Sequence, residues 1–453
     1  MFKKFTNGCV RMVEEYMPDP FLFCIILTGV CMLAAMVLTK QSFFDMTVHW
    51  GKGFWGLLSF AMQMCLALTL GHAMASSPPV SRILKMLAMI PKTPAQSVAF
   101  VTFISMCVSW LNWGFGLVVG ALFAKEVAKL GKRVDYRLLV AAAYFGFQVF
   151  GSGLSSPVTL GLANVNATVI AQTGGVVTEN IPVTETIFAN YNLFILLCMF
   201  ILMPFLAAKM HPEDKDIVMI NPDLLKEDTI FEEKNDTVAA KMENSRIIAW
   251  FAAIIGTVFL VWELSAPGFN LSINSANMIL LTIGILAHGT PIRYVRAMQR
   301  AATGAAGIIL QFPFYAGIMG MMAGVSAATG LSLGRVITDG FISISSTATY
   351  PVMNLISVAF INLFIPSAGG QWSVQGPIMV PAGVALNVPP QVTAMVYSWG
   401  DNWTNLIQPF WALPALGIAG LGAKDIMGFC VTALFFMGAL LIGTFLFVGV
   451  FML

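Results

Sequence analysis

Four short polar segments interrupt long apolar stretches of this chain, and each combines glycine with hydroxyl or amide side chains. They are residues 112–116, 151–157, 367–372 and 399–405. Backbone groups at membrane depth must be hydrogen-bonded within the protein or line a wet cavity. We therefore expect the four segments to meet around one binding cavity. The alternative is that they are kinks in which Ser and Asn only satisfy freed backbone groups.

The charge of the segments limits what this cavity could bind, because none of them contains Lys or Arg. An anion would be held by helix N-termini, backbone N–H groups and neutral donors. The arginine clamps usual for dicarboxylates and phosphates are missing, so the pattern favours a small monoanion with an apolar tail. The predicted substrate-binding residues are Asn112, Trp113, Gly114, Ser152, Ser155, Ser156, Ser367, Gly369, Gly370, Gln371, Asn402, Thr404 and Asn405. The aromatic residues that could wall the tail, or simply pack, are Trp113, Phe115, Trp372, Trp399 and Trp403.

Asp401 is the one acidic residue within these segments. A carboxylate at the centre of a membrane helix costs about 2.5–3.5 kcal/mol on insertion scales and needs a partner. Since the sequence supplies no nearby base, a proton or a Na⁺ ion near Asp401 is the expected partner, and it would balance an incoming anion. The alternative is that Asp401 caps a half-helix by accepting from backbone N–H groups.

The composition excludes a soluble enzyme, a disulfide scaffold and a disordered chain. Among 453 residues, 58% are hydrophobic and only 10% are charged, and the mean hydropathy is +0.81. A soluble chain of this size could not cover its surface with so few charges. The net charge of +2 gives no sign of a nucleic-acid partner. The seven cysteines and four histidines are scattered without metal-ligand spacing, so no metal other than Na⁺ and no cofactor is expected.

The apolar stretches are long enough to span a bilayer, which takes roughly 17–25 residues as a helix. Uninterrupted runs lie at 20–38, 54–75, 187–207, 247–265, 272–288, 302–324 and 427–451. We predict that 136–163 and 391–421 are broken helices, and that 95–124 and 351–386 are re-entrant hairpins. With the N-terminus in the cytoplasm and the C-terminus in the periplasm, this gives nine crossings. It also places 21 of the 24 Lys and Arg residues inside, as the positive-inside rule requires.

The chain divides into two halves of similar element order. Residues 1–207 form the predicted N-terminal repeat, 208–246 a cytoplasmic charged loop, 247–271 a linking span and 272–453 the C-terminal repeat. Because the linking span is one extra crossing, the two repeats are inverted relative to each other. Inverted repeats with interrupted helices near the midplane are typical of secondary transporters. We therefore predict an all-α polytopic membrane protein with a mobile unit of hairpins and broken helices on a scaffold that includes 54–75 and 302–324.

Several long motifs resemble the bacterial short-chain fatty acid (acetoacetate/butyrate) transporter family. They are PDP at 18–20, GHAMASS at 71–77, NWGFGLVVG at 112–120, QFPFYAG at 311–317, QGP at 375–377 and QPFWALPAL at 408–416. The similarity extends from about residue 15 to 445. The resemblance implies cation-coupled uptake of short-chain fatty acids across the inner membrane, and kinship with elevator carriers that are often homodimers. Two positions depart from the family pattern, since Gln371 stands where His is common and Asp401 where Glu is common.

The leading hypothesis is therefore a secondary transporter for short-chain monocarboxylates, coupled to H⁺ or Na⁺, and not an enzyme. The alternative within transport is a cation antiporter or a dicarboxylate carrier of the same architecture. An intramembrane enzyme is a further alternative. However, an aspartyl protease needs two facing Asp residues and a metalloprotease needs H-E-x-x-H, and the four segments contain one Asp and neither motif. A passive channel is disfavoured because two hairpins from opposite sides suit alternating access.

Overall fold

The computed structural model describes residues 2–130, 133–221, 237–265 and 273–453, and within these ranges the chain is helical with no β-strand. The helices of the first half are α1 (Phe2–Tyr16), α2 (Pro20–Thr39), α3 (Phe43–Phe54), α4 (Leu58–Ala75), α5 (Pro78–Ala88), α6 (Pro94–Leu111), α7 (Trp113–Lys129), α8 (Tyr136–Phe147), α9 (Pro157–Ala163), α10 (Ala167–Gln172) and α11 (Asn190–Lys209). Those of the second half are α12 (Val238–Glu243), α13 (Arg246–Leu264), α14 (Ile273–His288), α15 (Pro291–Ala302), α16 (Ala306–Ala323), α17 (Leu333–Ser343), α18 (Tyr350–Asn362), α19 (Ala368–Ala385), α20 (Pro390–Asn405), α21 (Pro409–Ala419) and α22 (Ala423–Phe451).

Eight helical stretches in the described ranges are long and apolar enough to cross a membrane. They are Pro20–Thr39, Leu58–Ala75, Pro94–Leu111, Tyr136–Ala163, Asn190–Lys209, Arg246–Leu264, Pro291–Ala323 and Ala423–Phe451. This confirms a polytopic, all-helical membrane protein. The set includes α6, which the sequence predicts to be one arm of a re-entrant hairpin, whereas α14 and both α18 and α21 are shorter. The prediction of nine crossings with two hairpins therefore stays a prediction.

The helices are arranged around the first broken helix. In the stretch Tyr136–Ala163, 94% of an apolar 18-residue segment is buried, whereas the corresponding share for Arg246–Leu264 is 22%. Helix α8 packs against α6, α7 and α22, so neighbouring helices enclose it. Helix α13 instead exposes large apolar side chains such as Trp250, Ile254 and Trp262, as expected for a helix facing lipid. The interrupted segment at 151–157 is therefore carried on the most enclosed of the eight apolar stretches in the described ranges.

Both predicted hairpins form helix–tip–helix units. Helices α6 and α7 pack side by side and are separated by Asn112 alone, which has an extended backbone. Helices α18 and α19 are separated by residues 363–367, and Ser367 caps α19. The first tip is therefore shorter than the predicted 112–116, because the chain re-enters a helix at Trp113. Gly369, Gly370 and Gln371 lie in the first turn of α19 and not in an irregular loop.

Both predicted broken helices are interrupted, although the second break lies later in the chain than the sequence indicates. The first break runs from the end of α8 to Pro157 and contains a short 3₁₀ turn, Phe150–Ser152. The second break comprises only residues 406–408, since α20 continues to Asn405. Gln408 precedes Pro409 and is extended, as expected for a residue before proline. The prediction of a break over 399–405 is therefore wrong by several residues.

The linking span and the charged loop lie partly outside the described residues. Helix α13 covers most of the predicted span 247–271, and residues 266–271 are not described. The described parts of the loop 208–246 hold a 3₁₀ turn, Asp214–Asp216, and helix α12. Five amphipathic helices were not anticipated from the sequence, namely α1, α3, α5, α15 and α17. The order of the remaining elements follows the predicted halves, while their relation by an inverted repeat stays a prediction.

Candidate functional site

The first hairpin tip contacts the first broken helix directly. The backbone N–H of Leu154 donates to the carbonyl of Trp110 over 2.8 Å. The backbone N–H of Trp113, the first residue of α7, donates to Ser155 Oγ over 2.9 Å. Gly153 lies so close to Trp110 that a Cβ atom would be 2.2 Å from the Trp110 carbonyl oxygen. The sequence-predicted residues Trp113 and Ser155 are therefore brought together across the two elements.

The second hairpin is fastened to the second broken helix by Asn362, the last residue of α18. Its side-chain amide donates to the Asp401 carbonyl (2.8 Å), to Thr404 Oγ1 (3.1 Å) and to Asn405 Oδ1 (2.7 Å). Thr404 Oγ1 in turn donates to the carbonyl of Ala359 over 2.9 Å. These bonds run sideways between helices, so the polar residues near the end of α20 do not interrupt it.

The tip of the second hairpin has two further hydrogen bonds to the second broken helix. Gln408, in the second break, donates through Nε2 to the Leu363 carbonyl over 2.7 Å. The hydroxyl of Tyr397 donates to the Ala368 carbonyl over 2.6 Å. The second hairpin and the second broken helix are thus joined at both ends of the tip.

The first hairpin and its broken helix form one pair, and the second hairpin and its broken helix form another. The two pairs meet at the 3₁₀ turn of the first break. A Cβ atom on Gly151 would lie 2.8 Å from both the Nδ2 and the Oδ1 atoms of Asn402. The hydroxyl of Tyr144 in α8 donates to the Asn405 carbonyl over 2.5 Å. The ring of Phe150 lies 5.8 Å from that of Trp411 in α21. All four interrupted elements are therefore connected in space, as expected for one shared site.

Asp401 lies in the middle of this contact region and is 1% exposed. Its Oδ2 atom accepts from Asn405 Nδ2 over 3.1 Å, while its Oδ1 atom has no hydrogen-bond partner in the described chain. Because Asp401 is inside α20, the interpretation of this residue as a helix cap is wrong. Its carboxylate bonds a side chain one turn along the helix and takes no backbone N–H.

Two amide side chains beside Asp401 also have buried atoms without partners among the described residues. They are Oδ1 of Asn362 and both Oδ1 and Nδ2 of Asn402. Buried polar groups are normally hydrogen-bonded, so each of these unpartnered atoms points to a missing partner. Carboxylate and amide oxygens are the ligands that hard cations prefer, and a proton on Asp401 would be an equally good donor to one of them. We refer to Asp401, Asn402, Asn405 and Asn362 as the Asp401 cluster.

The other predicted hydroxyls are used within their own segments. Ser152 Oγ donates to the Val149 carbonyl over 2.8 Å. Ser156 and Ser367 cap α9 and α19 by accepting from backbone N–H groups at 3.5 and 3.4 Å. For these three residues the geometry agrees with the simpler interpretation, in which hydroxyls satisfy freed backbone groups.

The remaining predicted residues line the two tips. Asn112 and Gly114 are buried at the first tip, while Gly369 and Gly370 are half-buried at the second. Gln371 is fully buried and donates to the Val358 carbonyl (2.9 Å) and to Gln375 Oε1 (2.7 Å). It faces the interior of its own hairpin rather than Asp401.

The predicted aromatic walls divide into two groups. The indole N–H of Trp399 donates to Asn192 in α11, and that of Trp403 donates to the Leu434 carbonyl in α22, each over 2.8 Å. The Trp372 ring packs 4.7 Å from Tyr397. Among the predicted aromatic residues whose side chains are described, only Trp113 lies where the two breaks meet. Its ring is 5.3 Å from that of Trp411. Trp399 and Trp403 thus serve packing, and the side chain of Phe115 lies outside the described residues.

Five residues of the site were not predicted from the sequence, namely Tyr144, Phe150, Asn362, Gln408 and Trp411. Two of them had a local signal. Asn362 is an amide within an apolar run, and Gln408 directly precedes a proline. The other three are aromatic residues in aromatic-rich stretches, and their place at the site depends on the packing of distant helices.

A helical membrane protein in which two hairpin tips and two interrupted helices meet around buried polar groups has the architecture of a membrane transporter. Comparison with known proteins gives the family, because the model of the short chain fatty acid transporter family matches residues 1–448. The chain therefore belongs to that family. It is 42% identical to a proposed short-chain fatty acid transporter of Escherichia coli (strain K12), over 98% of this chain and 99% of the relative. It is likewise 42% identical to a proposed transporter of the same kind from Haemophilus influenzae, over 98% and 99%.

Solved structures give a weaker similarity. The YdaH transporter of Alcanivorax borkumensis superimposes with a TM-score of 0.44 at 18% identity, covering 96% of this chain and 98% of that chain. The Neisseria gonorrhoeae MtrF efflux pump superimposes with a TM-score of 0.44 at 17% identity, covering 98% and 97%.

Proposed function

We propose that the protein takes up short-chain monocarboxylates across the bacterial inner membrane, driven by a cation, H⁺ or Na⁺, that binds at Asp401. The observation that carries the proposal is the Asp401 cluster. It holds a buried carboxylate with one unpartnered oxygen, and the four segments around it contain no Lys or Arg. An ionised carboxylate in such a place is costly unless a cation or a proton accompanies it.

The charge balance explains why uptake would be coupled. A carboxylate substrate that enters beside an ionised Asp401 places two like charges in a region of low dielectric constant. A bound cation or proton removes this repulsion, so the substrate and the cation bind better together than apart. Since this site offers no fixed positive charge to replace the cation, the substrate binds poorly when the cation is absent. That is the requirement for symport.

The same argument supports a monoanion over a dianion. A dicarboxylate would need a second positive charge, and the four segments supply neutral donors only. The aromatic rings of Trp113, Phe150 and Trp411 suit a short apolar tail. The proposal extends to a homodimeric elevator, in which both hairpins and both broken helices move against the scaffold and the N-terminus lies in the cytoplasm.

The experiment that tests this function is uptake of labelled butyrate by purified protein in proteoliposomes, with pH and Na⁺ gradients imposed separately. We expect concentrative uptake with one of the two gradients. Asp401→Asn keeps the bond to Asn405 and removes the charge, so it should retain butyrate counterflow and lose gradient-driven accumulation. Asp339→Asn, which removes a surface carboxylate paired with Arg335, is the matched control and should behave as the unaltered protein.

Two outcomes would overturn the proposal. Asp401→Asn with full accumulation and unchanged ion dependence would assign Asp401 a structural role only. Cation flux without butyrate movement would instead indicate an antiporter of the same architecture.

A further inference from the structure

Trp411, the third residue of α21, has a buried hydrogen-bond donor with no partner. The side chain is 3% exposed, and its Nε1 atom bonds to nothing in the described chain. Trp399 and Trp403, by contrast, both have partners for the same atom. An indole N–H can only donate, so its natural complement is an acceptor that enters the site.

The surroundings of Trp411 are aromatic. Its ring lies 5.3 Å from Trp113, 5.5 Å from Phe147, 5.8 Å from Phe150 and 6.0 Å from Phe60. These rings come from α7, α8, the 3₁₀ turn of the first break and α4. We call these five residues the aromatic junction. It provides apolar walls and leaves the Trp411 N–H as an unpartnered donor.

The position of the junction connects it to the proposed site. Trp113 is the first residue of α7 after the hairpin tip, Phe150 begins the 3₁₀ turn of the first break, and Trp411 follows the second break. The next residue after Phe150 is Gly151, which lies against the Asn402 side chain. The 3₁₀ turn therefore touches the junction on one side and the Asp401 cluster on the other.

The electrostatics of this position favour an anion. Trp411 is in the first turn of an eleven-residue helix, where backbone N–H groups give a positive potential. The four segments supply no cationic side chain that would compete for the anion. A neutral donor of this kind suits one negative charge with an apolar substituent.

We propose that Trp411 Nε1 donates a hydrogen bond to the carboxylate of the substrate, whose apolar tail lies against the rings of the aromatic junction. This rests on the proposed function and names the residue that recognises the substrate. The bond adds to the electrostatic contribution of the cation at Asp401. It also explains how a site without arginine holds a carboxylate.

The test uses full-length protein labelled with ¹⁵N-tryptophan in nanodiscs. The protein is titrated with butyrate at a mildly acidic pH and in the presence of Na⁺, so that either coupling ion is supplied. We expect one indole ¹H–¹⁵N resonance, absent from the spectrum of Trp411→Phe, to move downfield on binding. Butanol, which has the same tail and no charge, should not cause that shift. Trp411→Phe should weaken butyrate binding by about tenfold or more, because a bond to a charged acceptor is lost.

Trp50→Phe is the matched control, because Trp50 Nε1 is also a buried donor without a described partner but lies in α3, against Phe314. It should leave butyrate binding unchanged. If Trp411→Phe does not fold, Trp411→Tyr assigns the resonance instead.

The outcomes separate this inference from the proposed function. If the unaltered protein transports butyrate while Trp411→Phe binds it equally well, or the resonance does not move, the role of Trp411 is overturned and the function stands. If the unaltered protein neither binds nor transports any short monocarboxylate, the function fails and the role of Trp411 fails with it.

Discussion

The side chain of Asn402 lies directly against the backbone of Gly151, at the point where the two broken helices touch. A Cβ atom at residue 151 would lie 2.8 Å from both terminal atoms of the amide. Glycine is required there by close approach and not by an unusual backbone angle. The contact places the Asp401 cluster immediately beside the first break, so the geometry of one half sets the geometry of the other.

Gly151→Ala should therefore impair transport more than it impairs folding. The added methyl group must displace the Asn402 amide, at a cost of about 1–3 kcal/mol for overpacking. We expect a raised KM for the substrate or the coupling ion and a modest loss of thermal stability. Gly443→Ala is the control, since nothing lies within 4 Å of a Cβ atom at that position in α22. Equal transport by the two variants would show that the contact between Gly151 and Asn402 does not affect function.

Asn362→Ala should destabilise the end of the second hairpin. The substitution removes three hydrogen bonds and leaves the Asn405 Oδ1 atom without its partner. Each buried group left unsatisfied costs about 1–3 kcal/mol. We expect a lower unfolding temperature and faster hydrogen exchange in α18 and α20. Ser343→Ala, an exposed position in α17 whose hydroxyl donates to the Gly340 carbonyl of its own helix, should leave both unchanged.

The sequence predicts the location of the polar interruptions well because glycine, proline and polar residues in apolar runs have few other uses in a membrane. It places the second break too early, since Asp401, Asn402 and Asn405 look like residues that end a helix. In the structure Asn362 donates to the Asp401 carbonyl and to the Asn405 side chain, Asn405 donates to the Asp401 carboxylate, and α20 stays helical through these residues. Such pairing over about forty residues of chain has no local signal.

The amphipathic helices and Trp411 were missed for two different reasons. Helices α5 and α15 carry basic residues that lower their hydropathy, and only a search for helical periodicity would have found them. The role proposed for Trp411 depends on its Nε1 donor having no partner in the described chain, which only the structure reveals. Its sequence context does not distinguish it from Trp399 or Trp403, whose indoles are satisfied by neighbouring helices.

Tyr315→Phe should change the balance between carrier states. Tyr315 belongs to α16 in the predicted scaffold, and its hydroxyl donates to Gln408 Oε1 over 2.9 Å. If the broken helices move against the scaffold, this bond exists in one state only. Its loss, worth about 1 kcal/mol, should shift the population of that state by about fivefold. Tyr136→Phe, which breaks a bond to Ala419 within the proposed mobile unit, should cause no shift. Single-molecule distances between α16 and α21 would report the change.

Acid should loosen the segment that follows α11. His211 Nε2 accepts from the Asp135 backbone N–H (3.3 Å), and burial lowers the pKa of this imidazole. Nearby Lys3 also lowers the pKa, whereas Asp135, Asp214 and a bond to Pro212 act in the opposite direction. Because the unfolded state then binds more protons, the stabilisation is complete above the unfolded pKa of about 6.5 and is lost as the pH falls below it. The hydrogen-exchange protection factor of the Val218 amide, which bonds Asp135, should therefore fall between pH 7.5 and 5.5 once the pH dependence of intrinsic exchange is removed, and His211→Asn should abolish that fall.

The last prediction concerns the first hairpin, whose two helices are antiparallel. Gly116 lies against Ser109 and Gly120 against Ser105, with a Cβ atom at each glycine only 2.3 and 2.6 Å from the serine hydroxyl. Extending this register places the start of α6 beside the end of α7, so residues 92 and 133 lie at the same end of the hairpin. By the positive-inside rule, the basic residues at that end predict that it faces the cytoplasm. In a cysteine-free background, Lys92→Cys and Arg133→Cys should both react with an impermeant maleimide only in inside-out vesicles. Labelling of the two from opposite sides would refute both the hairpin and the inverted repeat.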